Sequence, residues 1–437
     1  MLSVFKNSWA LLLGMMLLMV GNGLQSTLLG VRGGIEQFLP FEMSLIMSAY
    51  FIGFLGASRM VPSLIRRVGH VRVFAALASF ISAVLVLFPL YLNPVFWMFG
   101  RLIIGFCFCG VYIIAESWLN NAATNENRGQ SLSLYLILQM VGIVVGQGLL
   151  VTSDPGGYTL FIIISVFVSV SFAPILLSIS PTPAFETTNP MPLKKLIETS
   201  PLGCAGMFVL GGVFSAQFGM AAVYGAEVGL SLGEISLFVA TFYIGAVFLQ
   251  YPIGWLSDRM DRRRLIMSVA AIGAFGALIG VFMGQNFTLL LVAAFIVGGT
   301  SNPLYSLLIA HTNDFLDFDD MVSASGGLLF INGIGAIAGP LIVGWVMQAI
   351  GAFGFFVLIS LLMAGLTLYA AYRSTQRAAP SVEEANAYQT VMPTASLLSV
   401  EFAQEIAIET ALEEEEESQK AESEKKTEND RRQEDHR

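Results

Sequence analysis

The chain has 437 residues, of which 55% are hydrophobic and only 12% are charged, and its mean hydropathy is +0.72. Because a soluble domain carries about 25% charged residues, this composition excludes a soluble protein and predicts that lipid surrounds most of the chain. The formal net charge of -9 resides at the C-terminal end: residues 374–437 hold 7 Lys/Arg and 16 Asp/Glu, whereas residues 1–373 hold 15 of each.

Long apolar runs follow one another along the chain. A bilayer core of about 30 Å requires about 20 apolar residues per helix. Runs of this kind occupy residues 8–29, 43–63, 71–92, 95–119, 129–151, 158–179, 202–225, 234–256, 265–284, 287–311, 322–348 and 353–372. The first run is too long for a signal peptide and contains Asn22 and Gln25 without an A-x-A cleavage site. We therefore predict an all-α membrane protein with twelve transmembrane helices.

Lys and Arg are distributed unequally between the two ends of these spans. If the N-terminus is cytoplasmic, the outer loops contain only Arg32, and the inner loops contain Lys6, Arg66, Arg67, Arg72, Arg128, Lys194, Lys195, Arg259, Arg262, Arg263, Arg264 and Arg373. Cytoplasmic loops of membrane proteins carry an excess of Lys and Arg. The pattern predicts a multi-pass membrane protein with both termini in the cytoplasm. We expect the membrane to be a bacterial inner (plasma) membrane.

Two polar segments divide the chain. Residues 181–200 are rich in proline and contain Lys194 and Lys195, and they separate six spans from six. We predict an N-terminal six-helix bundle at 1–180, a cytoplasmic linker at 181–200, a C-terminal six-helix bundle at 201–373 and an acidic, mostly disordered cytoplasmic tail at 374–437. The apolar residues of 397–412 leave a short helix, or docking to a cytoplasmic partner, as the alternative for that part of the tail.

A basic loop recurs in the two halves. Residues 254–266 form a cluster of charge between two apolar runs, and residues 62–74 occupy the same place 192 residues earlier. The same offset, within one residue, matches Gln25 with Gln217, Tyr112 with Tyr305, Asn120 with Asn313, Gly105 with Gly298, Gly142 with Gly335, and Gly146 with Gly339. Agreement in several regions is typical of a transporter built from parallel repeats.

The second basic loop carries a recognisable motif, formed by Gly254, Asp258, Arg259, Arg262 and Arg263. Its spacing resembles the cytoplasmic loop signature of the major facilitator superfamily, which normally lies between helices 2 and 3 and is often repeated between helices 8 and 9. In the first copy of this chain, Arg66 stands in the place of the acid and Pro62 in the place of the leading glycine.

Further motifs agree with that resemblance. Arg101 and Gly105 resemble the helix-4 arginine motif, and Gly142 with Gly146 is a partial form of the helix-5 motif that lacks its proline. The segments 115–120 and 125–129 resemble the YcaD-like branch. The resemblance covers residues 1–373 and implies two pseudo-symmetric six-helix bundles that work by alternating access. It does not indicate a substrate.

Three residues of the second loop are candidates for a cytoplasmic gate. Asp258 can stabilise the positive N-terminus of a neighbouring helix and pair with Arg259 and Arg262. Such contacts would form in one state of the transporter and break in the other. The alternative is that the arginines only anchor the loop at the inner surface, which leaves the acid unexplained.

Two charged residues within spans are candidates for coupling. Arg101 lies about six residues into the fourth span, and an unpaired cation at that depth costs at least about 2.5 kcal/mol. We expect it to face the cavity and bind an anionic group or a carboxylate, or else to hydrogen-bond to backbone carbonyls. Glu116, near the inner end of the same span, is a candidate proton carrier. Its structural alternative is a contact to Arg128 or to the loop between the tenth and eleventh spans.

Uncharged polar side chains recur at matched positions of the two halves. The candidates for the substrate cavity are Gln25, Tyr112, Gln217, Asn302 and Tyr305. Amides and phenols donate and accept hydrogen bonds without a fixed charge, which suits a neutral or weakly polar solute. The alternative is hydrogen bonding between helices, which contributes less than about 1 kcal/mol in lipid.

The remaining chemistry of the sequence favours transport over catalysis. No Walker A motif, convergent nucleophile and base, metal-ligand set or cofactor motif is found, and the aspartates at 314–320 do not have the spacing of a Ca²⁺ loop and are interpreted as capping the next helix. We predict a monomeric secondary transporter of a small organic solute, with protons as the expected coupling ion and no cofactor, metal, enzymatic activity or nucleic-acid partner. A facilitated uniporter is the alternative, and a receptor or scaffold acting through the acidic tail is the alternative from another class.

Overall fold

The computed structural model describes residues 2–122, 128–177, 191–376, 388–393 and 396–412, and within them the regular structure is helical. The helices in chain order are α1 (Leu2–Ile35), α2 (Pro40–Val68), α3 (His70–Leu87), α4 (Pro94–Ala122), α5 (Arg128–Leu149), α6 (Thr159–Leu177), α7 (Leu193–Thr199), α8 (Pro201–Glu227), α9 (Leu232–Ser257), α10 (Arg262–Met283), α11 (Phe287–Asn313), α12 (Phe318–Ile350), α13 (Gly354–Ser374) and α14 (397–412).

The predicted spans agree with this architecture. Each of the twelve apolar runs coincides with one helix over most of its length, α1 to α6 and α8 to α13, and the run that extends furthest beyond its helix is that of α3, which ends at Leu87 and not at residue 92. Among the described residues, eleven helices are long and apolar enough to cross a membrane, and α6 contributes a shorter apolar stretch, Thr159–Pro174. The chain is therefore an all-α, multi-pass membrane protein, as predicted.

Two six-helix bundles pack with the same internal contacts. In the N-terminal half, α1 packs on α5 and α6, α2 on α4, and α3 on α4 and α6. In the C-terminal half, α8 packs on α12 and α13, α9 on α11, and α10 on α11 and α13. The correspondence of each helix pair with its partner pair confirms the predicted pseudo-symmetric repeat.

The symmetry extends to single backbone contacts at glycines. Gly105 of α4 lies against the carbonyl of Tyr50 of α2, and Gly298 of α11 lies against the carbonyl of Phe242 of α9. Neither position has room for a Cβ, so glycine is required for the two helices to approach. The same matching holds for Gly53 and Gly245, for Gly142 and Gly335, and for Gly146 and Gly339.

The two bundles contact each other through α1 with α8, α2 with α12 and α5 with α9. Ser26 Oγ donates to the carbonyl of Phe218 at 3.1 Å, and Ser236 Oγ donates to the carbonyl of Gln147 at 2.5 Å. Gly344 lies against Ser44 near the start of α2. These contacts close the interface toward the end of the bundles opposite the two basic loops.

The linker between the bundles ends in a short helix. Lys195 of α7 forms an ion pair with Asp320 of α12 at 2.7 Å, and the Met191 N–H donates to the carbonyl of Ser323 at 2.8 Å. The linker therefore packs on the start of α12. Residues 178–190 lie outside the described part of the chain.

The tail differs from its prediction over residues 388–393 and 396–412. Instead of being solvated, these residues pack against the bundles, and 397–412 form α14. Val400, Phe402 and Ala403 are each 1% exposed, because they find an apolar surface that the tail by itself does not have. The rest of the predicted tail beyond residue 376 lies outside the described residues.

Candidate functional site

A continuous set of polar side chains lies inside the N-terminal half. Arg101 Nη1 donates to Gln25 Oε1 at 2.7 Å, Gln25 Nε2 donates to Asn22 Oδ1 at 3.0 Å, and Asn22 Nδ2 donates to the Tyr112 hydroxyl at 2.8 Å. All four residues are at most 1% exposed. Three predicted candidates, Gln25, Arg101 and Tyr112, are thus joined in one hydrogen-bonded network.

Arg101 is held without a carboxylate in the described part of the chain. Besides Gln25, its guanidinium donates to Ser26 Oγ at 3.3 Å and to Met47 Sδ at 3.4 Å, and it lies over the Tyr50 ring with its Cζ 4.6 Å from the centroid. Stacking on an aromatic face and hydrogen bonds to neutral acceptors satisfy a buried cation in part. The network around Arg101 therefore retains a positive charge.

The matched polar residues of the C-terminal half form a shorter cluster. Gln217 Nε2 donates to Ser301 Oγ at 3.1 Å. Asn302 Nδ2 donates to the carbonyl of Gly298 in its own helix at 3.2 Å, whereas its Oδ1 atom and the Tyr305 hydroxyl are buried without a hydrogen-bond partner among the described residues. The Asn302 amide oxygen can accept a further hydrogen bond, and the Tyr305 hydroxyl can accept or donate one.

An aromatic pocket lies between the bundles, between α2 on one side and α8 and α12 on the other. It is bounded by Tyr50, Phe51, Phe54, Leu55, Ser58, Phe214, Phe218, Leu329, Asn332, Gly333, Ala336 and Pro393. Its free volume is about 30 Å³, which is room for about two water molecules. A solute would need the walls, or Pro393 of the tail, to move.

None of the five predicted cavity residues lines this pocket directly. Two of its rings connect it to the polar network instead: Tyr50 stacks under Arg101, and Phe54 lies 6.1 Å from the Tyr112 ring, centroid to centroid. Tyr50 also contacts Phe218 across the bundle interface at 5.5 Å. The network therefore lies behind the aromatic wall of the pocket.

Glu116 lies near the C-terminal end of α4 and is 2% exposed. Its Oε1 atom accepts a hydrogen bond from the Tyr135 hydroxyl at 3.2 Å, and its Oε2 atom accepts a short one from Ser396 Oγ of the tail. The side chain of Arg128, one predicted structural partner, lies outside the described residues. The other predicted contact, to the loop before α12, is replaced by the tail.

The motif of the second basic loop (Gly254, Asp258, Arg259, Arg262 and Arg263) is arranged differently from its prediction. Arg262 pairs closely with the buried Asp314 and donates to Ser257 Oγ at 3.0 Å, whereas its separation from Asp258 is 3.7 Å. Arg259 stacks on Trp255 with its Cζ 4.4 Å from the ring centroid. The main ion pair of the motif therefore joins two loops of the same bundle.

Asp258, the acid of the motif, contacts the tail. Asp258 Oδ1 accepts a hydrogen bond from the Tyr388 N–H of the tail at 3.0 Å. The N-terminus of α10, which the sequence assigned to Asp258, is capped by Asp261, whose side chain accepts from the Arg263 N–H at 2.9 Å. Within the described residues, Asp258 contacts the tail and not the other bundle.

Comparison with known proteins agrees with this architecture. The family model described as Major Facilitator Superfamily matches residues 202–408. This match supports the resemblance to the major facilitator superfamily that the sequence motifs carry. An uncharacterised MFS-type transporter YcaD of Escherichia fergusonii is 24% identical over 351 residues, which cover 79% of this chain and 91% of that protein. The chain is therefore a membrane transporter, and this relative supports the YcaD-like branch that the sequence motifs indicated. The proteins that the chain resembles are transporters and not enzymes.

Solved structures of low identity share the fold. A variant of the nucleoside transporter NupG superposes with a TM-score of 0.70 at 14% identity. The aligned region covers 84% of the present chain and 99% of the NupG chain. A bacterial homologue of the human lysosomal transporter Spinster, in an inward-facing and unoccupied conformation, gives a TM-score of 0.65 at 13% identity, covering 93% and 98%.

Three residues of these clusters were not among the predicted site residues. Asn22 was noticed only as a polar residue in the first span, Asp314 was interpreted as a helix cap, and Ser396 carried no signal. Asn22 lies three residues before Gln25, on the same helix face, which was the available clue. Asp314 and Ser396 had none, because their partners are 52 and 280 residues away.

Proposed function

We propose that this membrane transporter is a secondary active transporter that moves a small organic solute across the bacterial inner membrane by alternating access. Residues 1–180 and 201–373 are its two moving bundles, residues 181–200 connect them, and both termini are cytoplasmic. The Lys/Arg asymmetry of the loops supports this orientation. The shared packing of the two halves supports rocking of one bundle against the other. We propose that the working unit is a monomer.

The observation that carries the proposal is the position of the aromatic pocket at the bundle interface, directly in front of the polar network. A pocket walled by rings on both bundles suits a solute with a flat apolar part. The unpartnered Asn302 Oδ1 and Tyr305 hydroxyl provide hydrogen bonds on the C-terminal side when the walls separate. Arg101 contributes positive charge from behind Tyr50 and holds that ring in place.

A ligand screen tests this assignment. Purified protein is heated with metabolites and drugs grouped by charge and aromatic content, at two pH values, and its melting temperature is recorded. We expect aromatic solutes to raise the melting temperature. Phe218→Ala should remove this rise, and the ligand-free variant should remain folded at the temperature at which the solutes are added. The control is Phe248→Ala, because Phe248 is 67% exposed on the outer surface of α9. Stabilisation by sugars alone, unaffected by Phe218→Ala, would contradict the proposal.

Coupling to protons is assigned to Glu116. A buried carboxylate that accepts hydrogen bonds from the Tyr135 and Ser396 hydroxyl groups can exchange a proton when the cleft around it opens. In proteoliposomes, Glu116→Gln should abolish solute movement driven by a pH gradient while leaving counterflow exchange. If gradient-driven movement is unchanged in Glu116→Gln, facilitated uniport is the better description.

The receptor or scaffold alternative is less well supported. A tail that recruits a cytoplasmic partner should present its apolar residues to solvent. In residues 388–393 and 396–412 the apolar residues are instead largely buried against the transporter, with Leu412 the exposed exception at 46%.

A further inference from the structure

The described part of the tail, residues 388–393 and 396–412, is named here the docked tail, and it contacts both bundles. Ser396 bonds Glu116 in the N-terminal half. Ser306 of α11 in the C-terminal half accepts from the Val391 N–H at 2.9 Å and donates to the Val391 carbonyl at 3.0 Å. The docked tail thus spans the inner interface between the halves.

A second anchor lies on α9. The Tyr388 hydroxyl accepts a hydrogen bond from Gln250 Nε2 at 2.6 Å, and the Tyr388 N–H donates to Asp258. The Tyr388 ring lies against Gly254, where a Cβ would meet it. Gly254 and Asp258 therefore form the binding site for Tyr388.

The burial of α14 shows that it is inserted into a groove. Ser399, Val400 and Ala403 lie on one face, Phe402 and Ile406 lie beside it, and each is at most 9% exposed. A helix that rests on a surface buries a single stripe. Burial over a wider arc means that walls lie on more than one side of the first turns of α14.

The groove is the inner opening between the bundles. The opposite end is closed by the contacts of α1 with α8 and of α5 with α9, including Ser26 to Phe218 and Ser236 to Gln147. At the inner end Pro393 forms part of the wall of the aromatic pocket. The docked tail fills the space through which a solute would leave that pocket.

Some buried polar groups of the docked tail lack hydrogen-bond partners. Both polar atoms of the Gln404 side chain and the Ser399 hydroxyl are buried without a hydrogen-bond partner among the described residues. Buried polar groups without partners oppose docking, because water would satisfy them once the tail leaves. This balance suits a segment that docks reversibly.

We propose that the docked tail is an intramolecular plug that closes the inner cleft and occupies Glu116, so that exchange with the cytoplasm requires the tail to leave. Undocking removes Pro393 from the pocket and exposes the Glu116 carboxylate to water in one step. The regulatory meaning of the plug rests on the proposed transport function. Closure of the cleft does not, and it is measured without transport.

Cysteine labelling of the purified full-length chain tests the plug. The native Cys107, Cys109 and Cys204 are buried and provide the background rate. Ala403→Cys reports on the tail, Ala336→Cys reports on the pocket, and Leu412→Cys is the exposed control. We expect a bulky hydrophilic maleimide to label Cys at 403 and at 336 at least tenfold more slowly than at 412.

Undocking variants complete the experiment. Phe402→Asp, and separately the milder pair Ser396→Ala with Tyr388→Phe, should accelerate labelling at both 403 and 336 at least fivefold without changing labelling at 412. Equal labelling at 403 and 412 in the parent chain would overturn the proposal, because the tail would then not be docked. Faster labelling at 403 with an unchanged rate at 336 in both variants would also overturn it, because the tail would leave without opening the cleft. An absence of solute movement in every variant would count against the proposed function alone.

Discussion

The two halves of this transporter share their helix packing but differ in the polar chemistry between the helices. In the N-terminal half, Arg101, Gln25, Asn22 and Tyr112 form one hydrogen-bonded chain. In the C-terminal half, the Tyr305 hydroxyl has no partner among the described residues. The repeat offset explains the difference, because Phe214 stands at the position matching Asn22 and Ala294 at the position matching Arg101.

This difference indicates a division of labour between the bundles. Packing contacts at the matched glycines are kept because helix approach depends on them in both halves. The polar positions are free to diverge because each half supplies different groups to one shared cavity. We infer that the N-terminal half holds a preformed, charged network and that the C-terminal half offers unpartnered groups to the solute.

The largest expected effect concerns the ion pair of Arg262 and Asp314 in the C-terminal half. Asp314→Asn leaves Arg262 buried with a neutral partner, and breaking a buried ion pair by removing one member costs about 3–5 kcal/mol. The melting temperature in detergent should fall clearly. Asp258→Asn is the matched control, because its side chain is 44% exposed and 3.7 Å from Arg262, and it should have a much smaller effect. Equal losses would mean that Asp258, as the sequence suggested, is the main partner.

The next effect compares the matched glutamines. Gln25→Leu removes an acceptor from Arg101 and a donor from Asn22, and we expect a loss of about 2–3 kcal/mol because two buried groups lose partners. Among the described residues the Gln217 side chain bonds only to Ser301, so Gln217→Leu should cost about 1 kcal/mol. Melting curves of the two variants measure the difference. Similar losses would show that the network of the N-terminal half is not more strongly coupled than its counterpart.

The matched tyrosines should change stability in opposite directions. Tyr112→Phe removes the acceptor of Asn22 and should destabilise the protein by about 1 kcal/mol. Tyr305→Phe removes a buried hydroxyl that has no partner among the described residues, so the ligand-free protein should become slightly more stable while solute binding weakens. Thermal shifts with and without a stabilising solute separate the two effects. A loss of stability in Tyr305→Phe would reveal a partner for its hydroxyl.

The smallest expected effect is a pH dependence of the docking of the tail. Burial, with a further contribution from the Glu405 carboxylate, raises the pKa of Glu401 from 4.5 to about 7. Because the docked state binds this proton more tightly, docking is fully favoured below pH 4.5 and weakens as the pH rises through about 7. The ratio of labelling at Ala403→Cys to that at Leu412→Cys should therefore increase two- to tenfold between about pH 5 and 8.

The control for this pH dependence is a glutamate outside the tail. Glu401→Gln should flatten the ratio, and Glu198→Gln should leave it unchanged, because the Glu198 side chain is 67% exposed on α7. A ratio that stays pH-dependent in Glu401→Gln would assign the titration to another group.

Much of the fold could be predicted from the sequence because lipid imposes simple rules. Spans of about 20 apolar residues follow from the thickness of the bilayer, and the repeat appears in matched residues such as Gly105 and Gly298. The candidate site was predicted in part, because Gln25, Arg101 and Tyr112 do form a cluster. The pocket itself is lined by Tyr50, Phe54 and Phe218, which the sequence does not distinguish from other apolar residues of their spans. Aromatic residues are frequent in such spans, so composition does not distinguish a cavity wall from a lipid-facing surface.

The sequence by itself therefore determined the number of spans, the duplication and the family resemblance. The spans follow from local hydropathy, and the duplication and the resemblance follow from short motifs and matched residues that are visible without knowing how the helices pack. Tertiary structure alone decided that Asp314 is the partner of Arg262 and that Ser396 of the tail reaches Glu116. Those contacts join residues far apart in the chain, and their energy comes from burial that exists only after the helices have packed. The same reason explains α14, because a weakly apolar segment becomes an ordered helix only when a groove between two bundles receives it.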